Sequence, residues 1–225
     1  MTQSRSQPGP SDLGHSDSPG LSAEVMADDP MAQFARWMAD ATSQPRSALP
    51  EPTAMVLATV SAAGHPRART VLMKAHGPEG FTFYTNRTSR KGQDLAANPR
   101  ACVVFPWYPL QRQVTAEGPV TLLSRQDSEP YFRSRPRGSQ LSAWASRQST
   151  VLSDRAQLDD RAAELDRRWP EGPDGSSAVP MPDFWGGYLL EPETVEFWQA
   201  GQYRLHDRLR YRRTALGWEI ERLSP

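Results

Sequence analysis

Between residues 53 and 123 the chain is cut by turn signals into pieces long enough only for strands and brief helices, and this spacing constrains the fold more than any other feature. Residues 53–61 and 66–75 read as strands on either side of Ala62-Ala63-Gly64-His65, a hairpin turn. Residues 80–86 supply a third strand, and 100–107 and 112–123 two longer ones. After the third strand, Thr88 or Ser89 can cap a short helix reaching Ala97. The pattern is a meander closing on itself. Short antiparallel strands interrupted by a few helices predict a mainly β fold with some α, a small β-barrel with helices at its rim.

The flanks complete this outline. Residues 1–28 are rich in Ser, Pro, Gly and Asp and carry no periodic apolar pattern, which predicts a disordered tail ahead of one domain over 29–225. Asp29 can cap a helix with Pro30 in its first position, and Phe34, Trp37 and Met38 follow at helical spacing as one apolar stripe. Ser124 can cap a helix to about Ser134. Helical pieces over 141–146 and 153–169 precede a Pro/Gly/Ser-rich loop over 170–182, and strands resume at 184–190, 194–198, 203–212 and 218–223.

Charge is balanced overall, with a formal net charge of +0 and a pI of about 6.9, so no global basic field draws the chain to nucleic acid or to a membrane surface. Positive charge is instead local. In an extended strand Arg204, His206 and Arg208 would share one face, with Trp198 upstream as an aromatic wall, and such a face suits an anionic or electron-rich ligand. A solvated basic edge strand accounts for the same spacing. Arg90 and Lys91 fall in the first turn of the short helix, where cations oppose the helix dipole, so a bound anion would compensate them. The alternative there is a frayed helix with two solvated charges. Arg67, Arg69 and Lys74 bracket the run 70–73, but Arg69 and Lys74 differ by an odd number of residues. A regular strand sends them to opposite faces, so either a bulge intervenes or the ligand wraps the strand end.

Several segments together carry a resemblance. They are Arg-Thr-Val-Leu-Met-Lys (69–74), Phe-Tyr-Thr-Asn (83–86), Ser-Arg-Lys (89–91), Phe-Pro-Trp (105–107), Arg-Gln-Val (112–114) and Ser-Arg-Pro-Arg-Gly-Ser-Gln (134–140). Arg-Gln-Ser (147–149), Phe-Trp-Gly-Gly (184–187) and Arg-Leu-His-Asp-Arg (204–208) follow in the same order. Over residues 29–225 the chain resembles the pyridoxamine 5'-phosphate oxidase family. The resemblance implies an FMN-binding split barrel with peripheral helices that forms a homodimer and holds its flavins at the interface. It implies oxidation of pyridoxamine 5'-phosphate, and of pyridoxine 5'-phosphate, by dioxygen to pyridoxal 5'-phosphate with release of hydrogen peroxide.

Carried over position by position, the resemblance places Arg69, Arg90 and Lys91 at the flavin phosphate. Thr70, Val71, Leu72, Met73, Lys74, Tyr84 and Thr85 would line the ribityl chain and ring. Gln113, Gln148, Ser149, Trp198 and Arg208 match the remaining flavin contacts, several of them reaching across the dimer. Lys74, Tyr131, Arg135 and Ser139 match the substrate-phosphate positions, and Arg204 and His206 the catalytic pair against the substrate ring. Tyr131 and Arg135, four apart, would share a helical face if the helix lasts to Pro136, with Ser139 following in a loop.

One departure and one alternative branch qualify this. Family members often carry an Arg-x-x-Tyr segment that folds over the substrate, and residues 16–28 contain neither residue. A related branch, the flavin oxidases of phenazine biosynthesis, acts on a different aromatic acid. Lys74 and the run 134–140 favour the phosphate-binding branch, because a substrate without phosphate would leave those cations buried and unpaired. A non-catalytic module that binds flavin or pyridoxal phosphate is the alternative from another class. His15, His65, His76 and His206 are scattered and Cys102 is the single cysteine, so no metal site and no internal disulfide are expected. No glycine-rich dinucleotide motif, P-loop or nucleophile elbow is present. With no apolar stretch of spanning length and no secretory signal, a cytoplasmic protein is expected.

Overall fold

A computed structural model of the chain describes residues 20–225, so the first 19 residues of the predicted tail lie outside the described residues. Alternation of buried and exposed side chains defines the strands. In β1 (Ala54–Val60) Met55, Leu57 and Thr59 face inward, and in β4 (Arg100–Trp107) Ala101, Val103, Phe105 and Trp107 do so. Beside them run β2 (Pro66–Gly77), β3 (Gly80–Asn86), β5 (Arg112–Leu122) and β6 (Trp185–Leu190). The antiparallel order β4-β1-β2-β3-β6-β5, with β5 returning to β4, closes a barrel. β7 (Thr194–Gln199), β8 (Asp207–Thr214) and β9 (Gly217–Arg222) continue outward from β5.

The split arises because β5 changes partner along its length. Its first half pairs with β7, from Arg112↔Gln199 to Glu117↔Thr194, and its last residues pair with β6, from Val120↔Leu190. Gly118 stands at the fork. A Cβ there would lie 2.0 Å from the Glu191 carbonyl oxygen, so only glycine lets the two backbones pass this closely.

One end of the barrel is stoppered by α1 (Pro30–Ser43). Asp29 Oδ1 accepts from the Met31 and Ala32 amides at 2.8 and 3.0 Å, and Pro30 occupies the first helical position. The helix then buries Phe34, whose ring meets Phe81 at 4.8 Å and Phe105 at 4.9 Å. Trp37 packs edge-on against Phe197 at 5.1 Å, with the Arg112 guanidinium over its face.

Packing begins earlier than Asp29. Leu21, Met26 and Ala27 are buried, the Ala27 amide donates to Gln33 Oε1, and the buried Tyr211 hydroxyl donates to the Ala27 carbonyl at 2.6 Å. These apolar residues are too isolated in sequence to show a period, and they are held by partners far along the chain.

Three helices cover the barrel's flank: α3 (Arg125–Ser134), α4 (Arg137–Ala145) and α5 (Ala156–Arg168). With residues 179–185 they enclose a second apolar cluster containing Phe132, Leu141, Met181 and Trp185. The predicted helix over 141–146 starts instead at Arg137, which puts Ser139 in a helical turn rather than a loop. Pro136, at φ −52°, is preset for a helix start, and its carbonyl accepts from the Ser139 and Gln140 amides. Among the described residues no helix is long and apolar enough to cross a membrane.

Phe34→Ala removes the stopper's central ring. We expect a loss of about 3–5 kcal/mol, read as a lower urea midpoint with an unchanged slope; an unchanged midpoint would show that the helix does not anchor the barrel.

Candidate functional site

β2 is the strand on which the site is built. Its register against β3 runs Met73↔Phe83 and then Ala75↔Thr82, so Lys74 is an extra, bulged residue. A bulge is one of the two answers to the parity problem of the sequence, and Arg69 and Lys74 do line the same cleft, of about 350 Å³, with residues from both faces of the strand. Thr70, Val71, Leu72, Tyr84, Thr85, Lys91, Tyr131, Arg135, Gln148 and Trp185 complete its walls.

The positive pole of this cleft is organised by a carboxylate that the sequence reading passed over. Asp94, on α2 (Arg90–Ala97), is 2% exposed. It pairs with Arg67 Nη1 at 2.7 Å, accepts from Thr59 Oγ1 at 2.8 Å, and stands 3.7 Å from Arg69 Nη2. Arg69 Nη1 in turn donates to Thr59 Oγ1 at 2.7 Å and to the Leu57 carbonyl at 3.0 Å. β1–β2 pairing sets this up, placing Thr59 opposite Arg67 and Leu57 opposite Arg69.

Lys91 is held differently. Ser89 caps α2, and the Lys91 ammonium turns back to Thr85 Oγ1 at 2.9 Å, Gln148 Oε1 at 3.0 Å and Ser89 Oγ at 3.4 Å. All three partners are neutral oxygens. Burial pushes the ammonium below the ordinary lysine value and the neighbouring Arg69 adds in the same direction. Burial also lowers Arg69, against the opposing pull of Asp94. Two desolvated cations therefore face the cleft with less negative charge than they can use, which is the electrostatic condition for an anion site.

The other wall is aromatic. Tyr84 stacks on Tyr131 at 4.2 Å and on Trp185 at 5.2 Å, and the Arg135 guanidinium lies 5.1 Å over the Trp185 ring. Arg135 Nη1 is buried and has no hydrogen-bond partner, and burial lowers the group's pKa, with Tyr131 opposing. A half-buried guanidinium with an unmatched N–H is under-compensated, and Arg135 lines the cleft. α3 ends at Ser134, so Arg135 is an extended residue rather than part of the helical face shared with Tyr131, yet both reach the cleft. Trp185 belongs to the quoted Phe-Trp-Gly-Gly segment, but its only sequence signal was the start of a strand.

The remaining expected residues do not line this cleft. Met73 is buried in the core, and Arg90 is exposed, with only its backbone amide bound to Ser149 Oγ. Ser139 lies in the first turn of α4. Gln113, Trp198 and Arg208 instead form a row across β5, β7 and β8, in register as Gln113↔Trp198 and Trp198↔Arg208. Arg208 makes a two-pronged ion pair with Glu196 at 2.8 and 2.9 Å, and the His206 ring sits 4.6 Å from Trp198.

The strand expected over 203–212 begins only at Asp207, so Arg204, His206 and Arg208 do not share a strand face. Residues 200–206 are the β7–β8 connection, closed by Gln199↔Asp207 pairing. Tyr203 and Arg204 adopt positive φ of 54° and 65°, and the Gly201 amide donates to His206 Nδ1 at 3.2 Å. Arg204 is exposed on this turn.

Removing the hub carboxylate should expose its role. Asp94→Ala leaves Arg67 and Arg69 without their shared partner, at an expected cost of about 2–3 kcal/mol, below that of a fully buried pair because Arg67 is partly exposed. Thermal unfolding checks this, and a variant as stable as the parent would show that the arginines need no counter-charge.

Two family models match the chain: one described as pyridoxamine 5'-phosphate oxidase over residues 41–168, and one as pyridoxine 5'-phosphate oxidase C-terminal dimerisation region over 185–225. A pyridoxine/pyridoxamine 5'-phosphate oxidase of Frankia alni is 56% identical over 207 residues, 91% of this chain and 84% of that protein. One from Acidothermus cellulolyticus is 53% identical over 92% of this chain and 90% of that protein. Among solved structures, PhzG from Burkholderia lata 383, in complex with tetrahydrophenazine-1-carboxylic acid, superposes with a TM-score of 0.83 at 31% identity, over 94% of this chain and all of that one. A pyridoxamine 5'-phosphate oxidase-related, FMN-binding protein of Nostoc punctiforme shares the fold, with a TM-score of 0.65 at 18% identity over 86% of this chain and 96% of its own. Barrel, cleft and kinship agree, and the chain belongs to the pyridoxamine 5'-phosphate oxidase family of oxidoreductases.

Proposed function

We propose that this protein binds FMN and oxidises pyridoxamine 5'-phosphate, and pyridoxine 5'-phosphate, to pyridoxal 5'-phosphate. For the amine the balance is pyridoxamine 5'-phosphate, dioxygen and water giving pyridoxal 5'-phosphate, ammonia and hydrogen peroxide. The observation that carries the reading is one cleft holding two separately under-compensated cationic groups, Lys91 with Arg69 and Arg135 with its unpaired Nη1. Two phosphorylated guests account for both.

The donor set fits a flavin mononucleotide. Lys91 and Arg69 would meet its phosphate, and Thr85, Gln148 and the 70–72 segment would line the rest. A bound flavin supplies two-electron oxidation and reoxidation by dioxygen. The chain's own residues bind and orient. Arg135, Lys74 and Tyr131 would take the substrate phosphate, with the Tyr84, Tyr131 and Trp185 stack excluding water from one side. Arg204 and His206 would hold the substrate ring and its reacting carbon, the imidazole as a proton-transfer group at Nε2, since Nδ1 already accepts from the Gly201 amide.

Those two residues, with Gln113, Trp198 and Arg208, lie outside the cleft that Arg69 and Lys91 line, which supports a site completed by a second copy of the chain. The match of residues 185–225 to a dimerisation region supports the same homodimer. The likeness to PhzG raises the reading of a non-phosphorylated aromatic acid as substrate. Arg135 favours the phosphate ester, since an acid bound elsewhere leaves its half-buried charge at the cleft wall without an anion.

Anaerobic addition of pyridoxamine 5'-phosphate to the purified yellow protein should bleach the flavin absorbance, and admitted air should restore it with peroxide formed. A flavin-loaded protein that does not bleach would favour a non-catalytic binding module. Lys91→Ala should weaken FMN by about 10- to 100-fold, the scale of one charged hydrogen-bonding group; unchanged affinity would remove Lys91 from the phosphate site.

A further inference from the structure

Arg135 occupies an awkward place for a residue that must hold still. It lies between two helices, extended at φ −71° and ψ 146°, and its amide is tied to α3 by one long bond, to the Phe132 carbonyl at 3.3 Å. The last carbonyls of α3 also have no amide four residues on within their own helix. Both needs meet at Gln140, on α4 and 2% exposed. Its Nε2 donates to the carbonyls of Phe132 at 3.1 Å, Arg133 at 3.0 Å and Arg135 at 3.0 Å. An amide nitrogen has two protons, so these three acceptors share two donors and the group is fully used. Its Oε1 accepts from Ser177 Oγ at 2.6 Å, which fixes which way the amide faces and ties it to the loop before β6.

Core filling does not explain this arrangement, since leucine or methionine would occupy the volume without the cost of burying an amide. A side-chain amide spent on three carbonyls of one turn is spent on that turn's shape. Above it, the Arg135 guanidinium lies over Trp185 and Phe132 with Nη1 turned into the structure and unpaired.

We propose that Gln140 is a positioning residue for Arg135, holding the α3–α4 turn so that the guanidinium, at the wall of the cleft, is aimed at the phosphate of the substrate. The inference rests on the reading above, in which Arg135 meets that phosphate. Gln140 touches no substrate. It acts through one residue, so its effect belongs in substrate affinity rather than in turnover.

Steady-state kinetics of the FMN-loaded protein tests this with three variants. Gln140→Met keeps the volume and removes the donors; KM for pyridoxamine 5'-phosphate should rise about tenfold, with kcat and FMN affinity within about twofold of the parent. In Arg135→Ala background the same change should add less than about twofold, because the residue it positions is gone. If Arg135→Ala leaves KM unchanged, the phosphate reading itself fails. If Arg135→Ala raises KM and Gln140→Met does not, or if the two effects multiply in full, the role given to Gln140 is overturned while the reading stands. Should Gln140→Met not fold, Ser177→Ala decides: loss of the hydroxyl that orients the amide should raise KM by about threefold at unchanged kcat, and an unchanged KM overturns the proposal.

Discussion

One carboxylate, Asp94, carries the arrangement of positive charge on which this site depends. Buried between α2 and the β1–β2 hairpin, it serves Arg67, Arg69 and Thr59 at once. A single negative charge against two guanidiniums, with the Lys91 ammonium close enough to Arg69 to be pushed down by it, leaves a positive excess locked into a rigid part of the barrel. Nothing about the overall composition requires such a concentration, since the chain is neutral as a whole. The barrel concentrates charge by register, pairing Thr59 with Arg67 and Leu57 with Arg69 and then setting a helix N-terminus beside them. The excess is a cost in the absence of an anion and a source of affinity in its presence.

The architecture places a second cation, Arg135, in the same cleft but on a different layer. Arg69 and Lys91 belong to barrel elements; Arg135 belongs to the helical flank and rests on the aromatic cluster under it. A site assembled from two layers can hold two anions without crowding their charges on one strand. The wing β7–β9 carries a third group of residues, Trp198, His206 and Arg208, with Gln113 of β5 beside them, away from both. A C-terminal region matched to a dimerisation unit, together with a cleft that lacks these residues, is what the proposed site divided between two copies requires.

Much of this was legible in the residues. Strand boundaries through β5 follow from alternation and from the turn at 62–65, and the Asp29 cap with Pro30 marks α1. The pairing of Lys91 with a helix start was visible as a conflict with the helix dipole, and the parity conflict between Arg69 and Lys74 announced the bulge. Other parts were hidden for physical reasons. Arg204-Leu205-His206 alternates like a strand, but the β7–β8 register closes at Gln199↔Asp207 and leaves these residues in the connection. A Cβ at Gly201 would lie 2.0 Å from the Leu205 carbonyl oxygen, the contact that gives this turn away only in three dimensions. Asp94 drew no attention in the sequence because its burial depends on strand register, and Gln140, just ahead of the helix expected over 141–146, drew none because its acceptors lie at the end of another helix.

The central claim is that the Arg69 and Lys91 pole exists to hold a phosphate monoester. Titrating the flavin-free protein in parallel with FMN and with riboflavin, which differ only in that phosphate, tests it most directly. FMN should bind at least about 100-fold more tightly than riboflavin, and added salt should narrow the gap, as expected for charge-assisted contacts. Equal affinity for the two flavins, at low and high salt alike, would contradict the account.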